Sequence, residues 1–77
     1  MIRILLFAEL QEKVGKDQIE YPLESITVRE LKQKLKEERG LLNLDHVMTA
    51  VNEEYATEED LVKAGDTVAL IPPVSGG

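Results

Sequence analysis

Thr27 and Glu30 stand three residues apart at the head of an apolar stripe, and together they mark the start of a helix more sharply than anything else in the chain. A Thr-x-x-Glu capping box lets each side chain satisfy a backbone N–H that the first helical turn leaves unpaired. Ile26 and Leu31 occupy the flanking positions of a hydrophobic staple. Val28, Leu31 and Leu35 recur at helical spacing, Glu30 can pair with Lys34 one turn on, and Gly40 supplies the stop. The pattern predicts a helix over Val28 to Arg39. Everything around it reads as strand, so the fold must wrap a sheet about one main helix.

Ile2 to Phe7 predicts a strand with Ile2, Ile4 and Leu6 on a core face and Arg3, Leu5 and Phe7 on the other. Ala8 to Val14 is short and helix-tolerant, and Gly15-Lys16-Asp17 is a turn signal. Ile19, Tyr21 and Leu23 alternate with polar residues as in a half-buried strand, which Pro22 confines to a sheet edge. Leu41 to Asp45 is a connector whose leucines complete the core. Val47 to Val51 predicts a strand, Asn52-Glu53-Glu54 its turn, and Tyr55-Ala56 a short return. Thr57 to Asp60 resembles a capped turn that places Leu61 and Val62 inward, and Ala64-Gly65-Asp66 is a further turn. Thr67 to Ile71 is dense enough in apolar residues for a central strand. The expected fold class is α+β, a β-grasp arrangement with a mixed sheet, the first and last strands parallel at its centre, and the helix across one face. Residues 1–72 form the domain and residues 73–77 a flexible tail.

At 77 residues the chain makes one small domain, so part of any chemistry is expected to lie in a partner. A formal charge of −6 disfavours nucleic acid and anionic membrane as partners. No apolar run approaches the roughly 20 residues of a membrane span. The apolar start lacks a signal-peptide cleavage pattern, so a cytoplasmic location is expected. The absence of cysteine excludes thiol chemistry on a side chain. His46 stands without a second histidine or cysteine to make a metal set and reads as a surface residue. Ser75 has no identifiable base, the acidic residues Glu53-Glu54 and Glu58 to Asp60 lack calcium-loop spacing, and Gly15, Gly40 and Gly65 belong to separate turns.

What remains is the end of the chain. After Ile71, Pro72 and Pro73 favour an extended, unpaired backbone, and Val74, Ser75, Gly76 and Gly77 carry it onward. Four extended residues reach about 13 Å. The two glycines remove side chains from the last positions, so a carboxylate on Gly77 could pass through a narrow channel. Such a carboxylate becomes an acyl donor once adenylated and can then accept sulfur or be attacked by an amine. A terminal Gly-Gly by itself reads more readily as an end that has no function.

The run Met1-Ile2-Arg3-Ile4-Leu5-Leu6-Phe7-Ala8-Glu9, the segment Ala50-Val51-Asn52 and the terminal Val68 to Gly77 closely resemble the small, sulfur-carrying subunit of molybdopterin synthase. The resemblance spans essentially the whole chain, and Pro-Pro-Val-Ser-Gly-Gly is its most specific part. It implies a ubiquitin-like fold and a cycle in which an E1-like enzyme uses ATP to adenylate Gly77. A sulfur donor, such as a sulfurtransferase, then leaves a thiocarboxylate there, and no cofactor is bound by this chain. The tail enters the large synthase subunit and gives sulfur to cyclic pyranopterin monophosphate, two small subunits flanking a dimer of large ones. The catalytic pocket belongs to that partner, so whether this chain alone is an enzyme stays open.

By the same resemblance Gly77 carries the sulfur, Gly76 gives access, and Pro72, Pro73, Val74 and Ser75 guide insertion. Leu5, Phe7, Ala69 and Ile71 form an expected docking patch. Phe7 matches a family interface position, whereas Ile71 replaces a frequent aromatic. The alternative for the patch is cover by a loop of the same chain. The alternative functions are a thiamin-type sulfur carrier, a protein modifier joined to lysines through Gly77, and a noncovalent adaptor whose tail docks in a groove.

Overall fold

The computed structural model describes residues 1–41 and 44–73, apart from the side chain of Asp45. The strands are β1 (Ile2–Leu6), β2 (Gln18–Tyr21), β3 (Ser25–Thr27), β4 (Met48–Val51), β5 (Glu54–Tyr55), β6 (Leu61–Lys63) and β7 (Thr67–Ile71). The helices are α1 (Ala8–Val14) and α2 (Val28–Arg39), and Leu44–His46 makes a single 3-10 turn. The main sheet runs in the order β2-β1-β7-β4-β5, with β3 and β6 paired as a separate ribbon. β1 and β7 lie parallel at the centre, and the other pairs are antiparallel. This is the ubiquitin-like β-grasp topology that the two apolar end strands predict.

Parity along the strands decides where the core lies. Ile2, Ile4 and Leu6 of β1 and Val68 and Leu70 of β7 are at most 1% exposed, and they meet Val28, Leu31 and Leu35 of α2 in one cluster. Leu41 and Leu44 close it below the helix, as the connector predicts. β2 takes the sheet edge and ends at Tyr21, immediately before Pro22. The proline has no N–H for a ladder, which explains both facts.

α2 carries the expected capping box: the Thr27 hydroxyl accepts from the Glu30 N–H at 3.2 Å, and the Glu30 carboxylate accepts from the Thr27 N–H at 3.2 Å. That engagement corrects one expected pair. Glu30 is turned back to the cap, so Lys34 instead pairs with Glu38, at 2.6 Å. Gly40 ends the helix at φ 67°, donating its N–H to Lys36 O. The buried Tyr21 lies under the same helix, with the Arg39 guanidinium 6.0 Å from its ring centroid.

Three further differences from the sequence reading have local causes. Ala8 to Val14 is a helix without a side-chain N-cap, so it carries no start signal. Its hold on the body comes from the buried Leu10. The segment 61–63 is a strand, not the end of a turn, and alternation therefore sends Leu61 outward at 51% exposure while Val62 is fully buried. The hairpin after β4 turns on Asn52 and Glu53 alone, both at positive φ, so Glu54 already belongs to β5. A two-residue turn of that hand matches the twist of the strands it joins.

Candidate functional site

The face of the sheet turned away from α2 divides into a polar end and an apolar end. Across β1 and β7, Arg3 lies opposite Thr67, and Arg3 reaches Glu20 of β2 at 3.8 Å. Moving toward the C-terminal ends of the two parallel strands, Leu5 lies opposite Ala69, Ala69 opposite Ala50 of β4, and Ala50 opposite Tyr55 of β5. In the next row Ile71 lies opposite Met48, and Phe7 follows β1 on the same side. Residues in register share a face. Two alanines between Leu5 and Tyr55 leave a shallow trough about 14 Å across, at the usual strand spacing.

Phe7 is 44% exposed, Met48 47% and Tyr55 74%, while Leu5, Ala69 and Ile71 are half-buried. Contiguous exposed apolar patches on small domains are candidates for contact surfaces. Leu5, Phe7, Ala69 and Ile71 are thus brought together, and the Phe7 ring stays open to solvent instead of being covered by a loop. The parity argument missed Met48, Ala50 and Tyr55. Their signal was present as apolar residues at alternate positions, but nothing local says that β4 lies beside β7.

Local chemistry fixes this surface. Phe7 is extended (φ −125°, ψ 155°), and Ala8 directly after it takes a left-handed φ of 50°. That conformation disfavours any residue with a Cβ. The chain therefore turns sharply into α1 and leaves Phe7 at the rim. On the other side, Asn52 locks the β4–β5 hairpin to β7. Its backbone N–H donates to Thr67 O at 2.8 Å, its side-chain oxygen accepts from the Thr67 N–H at 3.0 Å, and its amide donates to Asp66 at 3.0 Å. The Asp66 carboxyl is held below its ordinary pKa, first by the Lys63 backbone N–H and then by the Asn52 side chain. These bonds set the register that places Ala50 against Ala69 and Met48 against Ile71.

Pro72 is buried and Pro73 exposed. Pro72 therefore packs against the body instead of offering a surface in the isolated chain. Val74, Ser75, Gly76 and Gly77 lie outside the described residues. His46 is exposed at the end of the 3-10 turn. No described helix is long and apolar enough to cross a membrane.

The ThiS family profile matches residues 4–77. The molybdopterin synthase sulfur carrier subunit of Dictyostelium discoideum is 41% identical, over 97% of this chain and 94% of its own. The corresponding subunit of Escherichia coli is 36% identical over the whole of both chains. Among solved structures, the small archaeal modifier protein 1 of Haloferax volcanii superposes with a TM-score of 0.81 at 27% identity, covering 95% of this chain and 97% of that one. Topology and full-length sequence agreement converge: the chain belongs to the ThiS family of ubiquitin-like proteins, and to the molybdopterin synthase sulfur carrier subunits within it.

Proposed function

We propose that this chain carries sulfur as a thiocarboxylate on Gly77 and delivers it to cyclic pyranopterin monophosphate within a molybdopterin synthase. The observation that carries the reading is the agreement in sequence with molybdopterin synthase sulfur carrier subunits, which for the Escherichia coli subunit covers the whole of both chains. In the loading step a Gly77 carboxylate oxygen attacks the α-phosphorus of ATP on an E1-like enzyme, and pyrophosphate leaves. A donor at the oxidation level of sulfide then attacks the acyl carbon, AMP leaves, and the C-terminal C–O bond is replaced by C–S. In delivery the thiocarboxylate sulfur attacks a side-chain carbon of the pterin precursor, the C–O bond at that carbon breaks and its oxygen departs, and water then hydrolyses the resulting thioester, leaving the sulfur on the pterin and returning the carboxylate to Gly77.

The geometry supports the docking half of this cycle. The trough formed by Leu5, Ala69, Ala50 and Tyr55, with Phe7, Ile71 and Met48 at its open end, lies where β7 hands over to Pro72 and Pro73. A large subunit that covers the trough would receive the tail beside it, with Val74, Ser75 and Gly76 guiding Gly77 inward. Among the described residues no group lining the trough has the arrangement of a general acid or base, so the pterin chemistry is assigned to the partner.

A second reading, a protein modifier joined to lysines through Gly77, is favoured by the likeness to the Haloferax modifier protein. The two share activation and part at the acceptor. Intact mass after incubation with an activating enzyme, ATP and a sulfur donor separates them. Exchange of one oxygen for sulfur at the terminus is expected, and it disappears when Gly77 is deleted while the fold and large-subunit binding persist. Isopeptide adducts on lysine with no sulfur exchange would establish the second reading instead.

A further inference from the structure

Among the described residues three that are not glycine hold a positive φ: Ala8 at 50°, Asn52 at 52° and Glu53 at 71°. Asn52 and Glu53 form the two-residue hairpin turn, which requires that hand at both positions. Ala8 has no such turn to satisfy. It opens α1, where an ordinary helix entry is right-handed, and no side-chain cap offsets the cost. Elsewhere the chain places glycine where this hand is needed, at Gly15, Gly40 and Gly65. A left-handed residue with a Cβ is strained, and strain of this kind persists only where the surroundings enforce it.

The enforcing contacts lie on both sides. β1 is anchored as far as Leu6, which is 1% exposed, lies opposite Leu70 of β7 and donates its N–H to Asp17 O at 2.9 Å. On the other side Leu10 is 4% exposed, and its N–H donates to Phe7 O at 3.1 Å. Only Phe7, Ala8 and Glu9 join the two anchors, and all three are exposed. Rotation about the N–Cα bond of residue 8 swings Phe7 against α1. With both anchors fixed, φ at Ala8 therefore decides where the Phe7 ring stands. A ring already held in place loses less freedom when a partner covers it.

We infer that Ala8 is a positioning residue for docking: its left-handed turn, held between the Leu6 and Leu10 anchors, presents the Phe7 ring to the large subunit in the pose that the complex uses. The inference rests on the docking half of the proposed function. Ala8 acts through Phe7 and makes no binding contact of its own. If the turn served only to join β1 to α1, a change at residue 8 would act on the fold and be indifferent to whether the ring is present.

The test is a double-mutant cycle read by calorimetry with the large subunit of a molybdopterin synthase: the native chain, Ala8→Val, Phe7→Ala and the two together. A β-branched residue holds a φ near 50° only under severe strain, so Ala8→Val displaces the unanchored ring. It is expected to weaken binding at least about fivefold in the native chain and less than about twofold beside Phe7→Ala, because the group through which it acts is gone. Equal losses in the two backgrounds, or no loss in either, would overturn the inference. Unaltered affinity in Phe7→Ala removes the docking reading and this inference with it, whereas a weakened Phe7→Ala with an uncoupled Ala8→Val removes this inference alone. Where Ala8→Val folds poorly, a full chain synthesised with D-alanine at position 8 decides the matter, since the mirror-image residue favours positive φ with the same methyl group. That chain should melt higher than the native one and bind at least as tightly. A lower melting temperature or weaker binding would refute the role assigned to Ala8.

Discussion

Alternate residues of the same two central strands perform opposite tasks. Toward α2, Ile4, Leu6, Val68 and Leu70 are almost wholly removed from water, whereas on the other side Leu5, Ala69 and Ile71 are half-buried and Phe7 is exposed. Both sets are apolar, so hydrophobicity does not distinguish them. What differs is the layer available to cover them: α2 lies over one face, and no described element lies over the other. An apolar residue on the first face stabilises the monomer, and in the proposed docking one on the second stabilises a complex.

Truncation should separate the two faces cleanly. Leu70→Ala on the core face is expected to destabilise the chain by about 2–5 kcal/mol, read as a lower urea midpoint at constant slope. A smaller loss would mean that the helix collapses into the gap and that the core is looser than its burial indicates. Phe7→Ala should leave that midpoint nearly unchanged while weakening large-subunit binding by about 1–3 kcal/mol in calorimetry. Unchanged affinity would reduce Phe7 to an incidental exposed ring and break the contrast between the faces.

The cap of α2 offers a subtler test, since it stabilises the element that makes the core face a core. Thr27→Ala should cost about 1 kcal/mol and leave affinity for the large subunit alone. Glu30 also adds a pH signature. Its carboxyl is held below the ordinary value, first by the Thr27 backbone N–H and then by the Thr27 hydroxyl. Asp66 is lowered in the same sense. A depressed folded-state pKa contributes stability above the unfolded value, and that contribution is lost as pH falls through the folded one. Melting temperature should therefore decline on acidification below the ordinary carboxylate range, and the decline should be shallower in Thr27→Ala. An unaltered slope would show that the backbone bond alone holds Glu30.

Local patterns rendered much of this legible in advance. The capping box, the stripe of Val28, Leu31 and Leu35, and the parity of Ile2, Ile4 and Leu6 each depend on neighbours within a few residues, and each is found as expected. α1 was indistinct because Phe7 caps it without a side-chain bond. Leu61 was misplaced because three residues cannot show whether they alternate. The Glu30–Lys34 pair failed because one carboxylate cannot face both its cap and its next turn.

By itself the sequence determined the strands of the main sheet, the core face of the first of them, the capped helix and the lack of any thiol. Only the tertiary structure decided that Met48 and Tyr55 stand in register with Ile71 and Ala50, and so complete a trough begun by Leu5 and Phe7 at the far end of the chain. The reason is physical: a strand's backbone donors and acceptors are the same whatever its neighbour, so its own residues cannot name the partner. That choice is made by burial of the whole sheet against α2, which no short stretch contains.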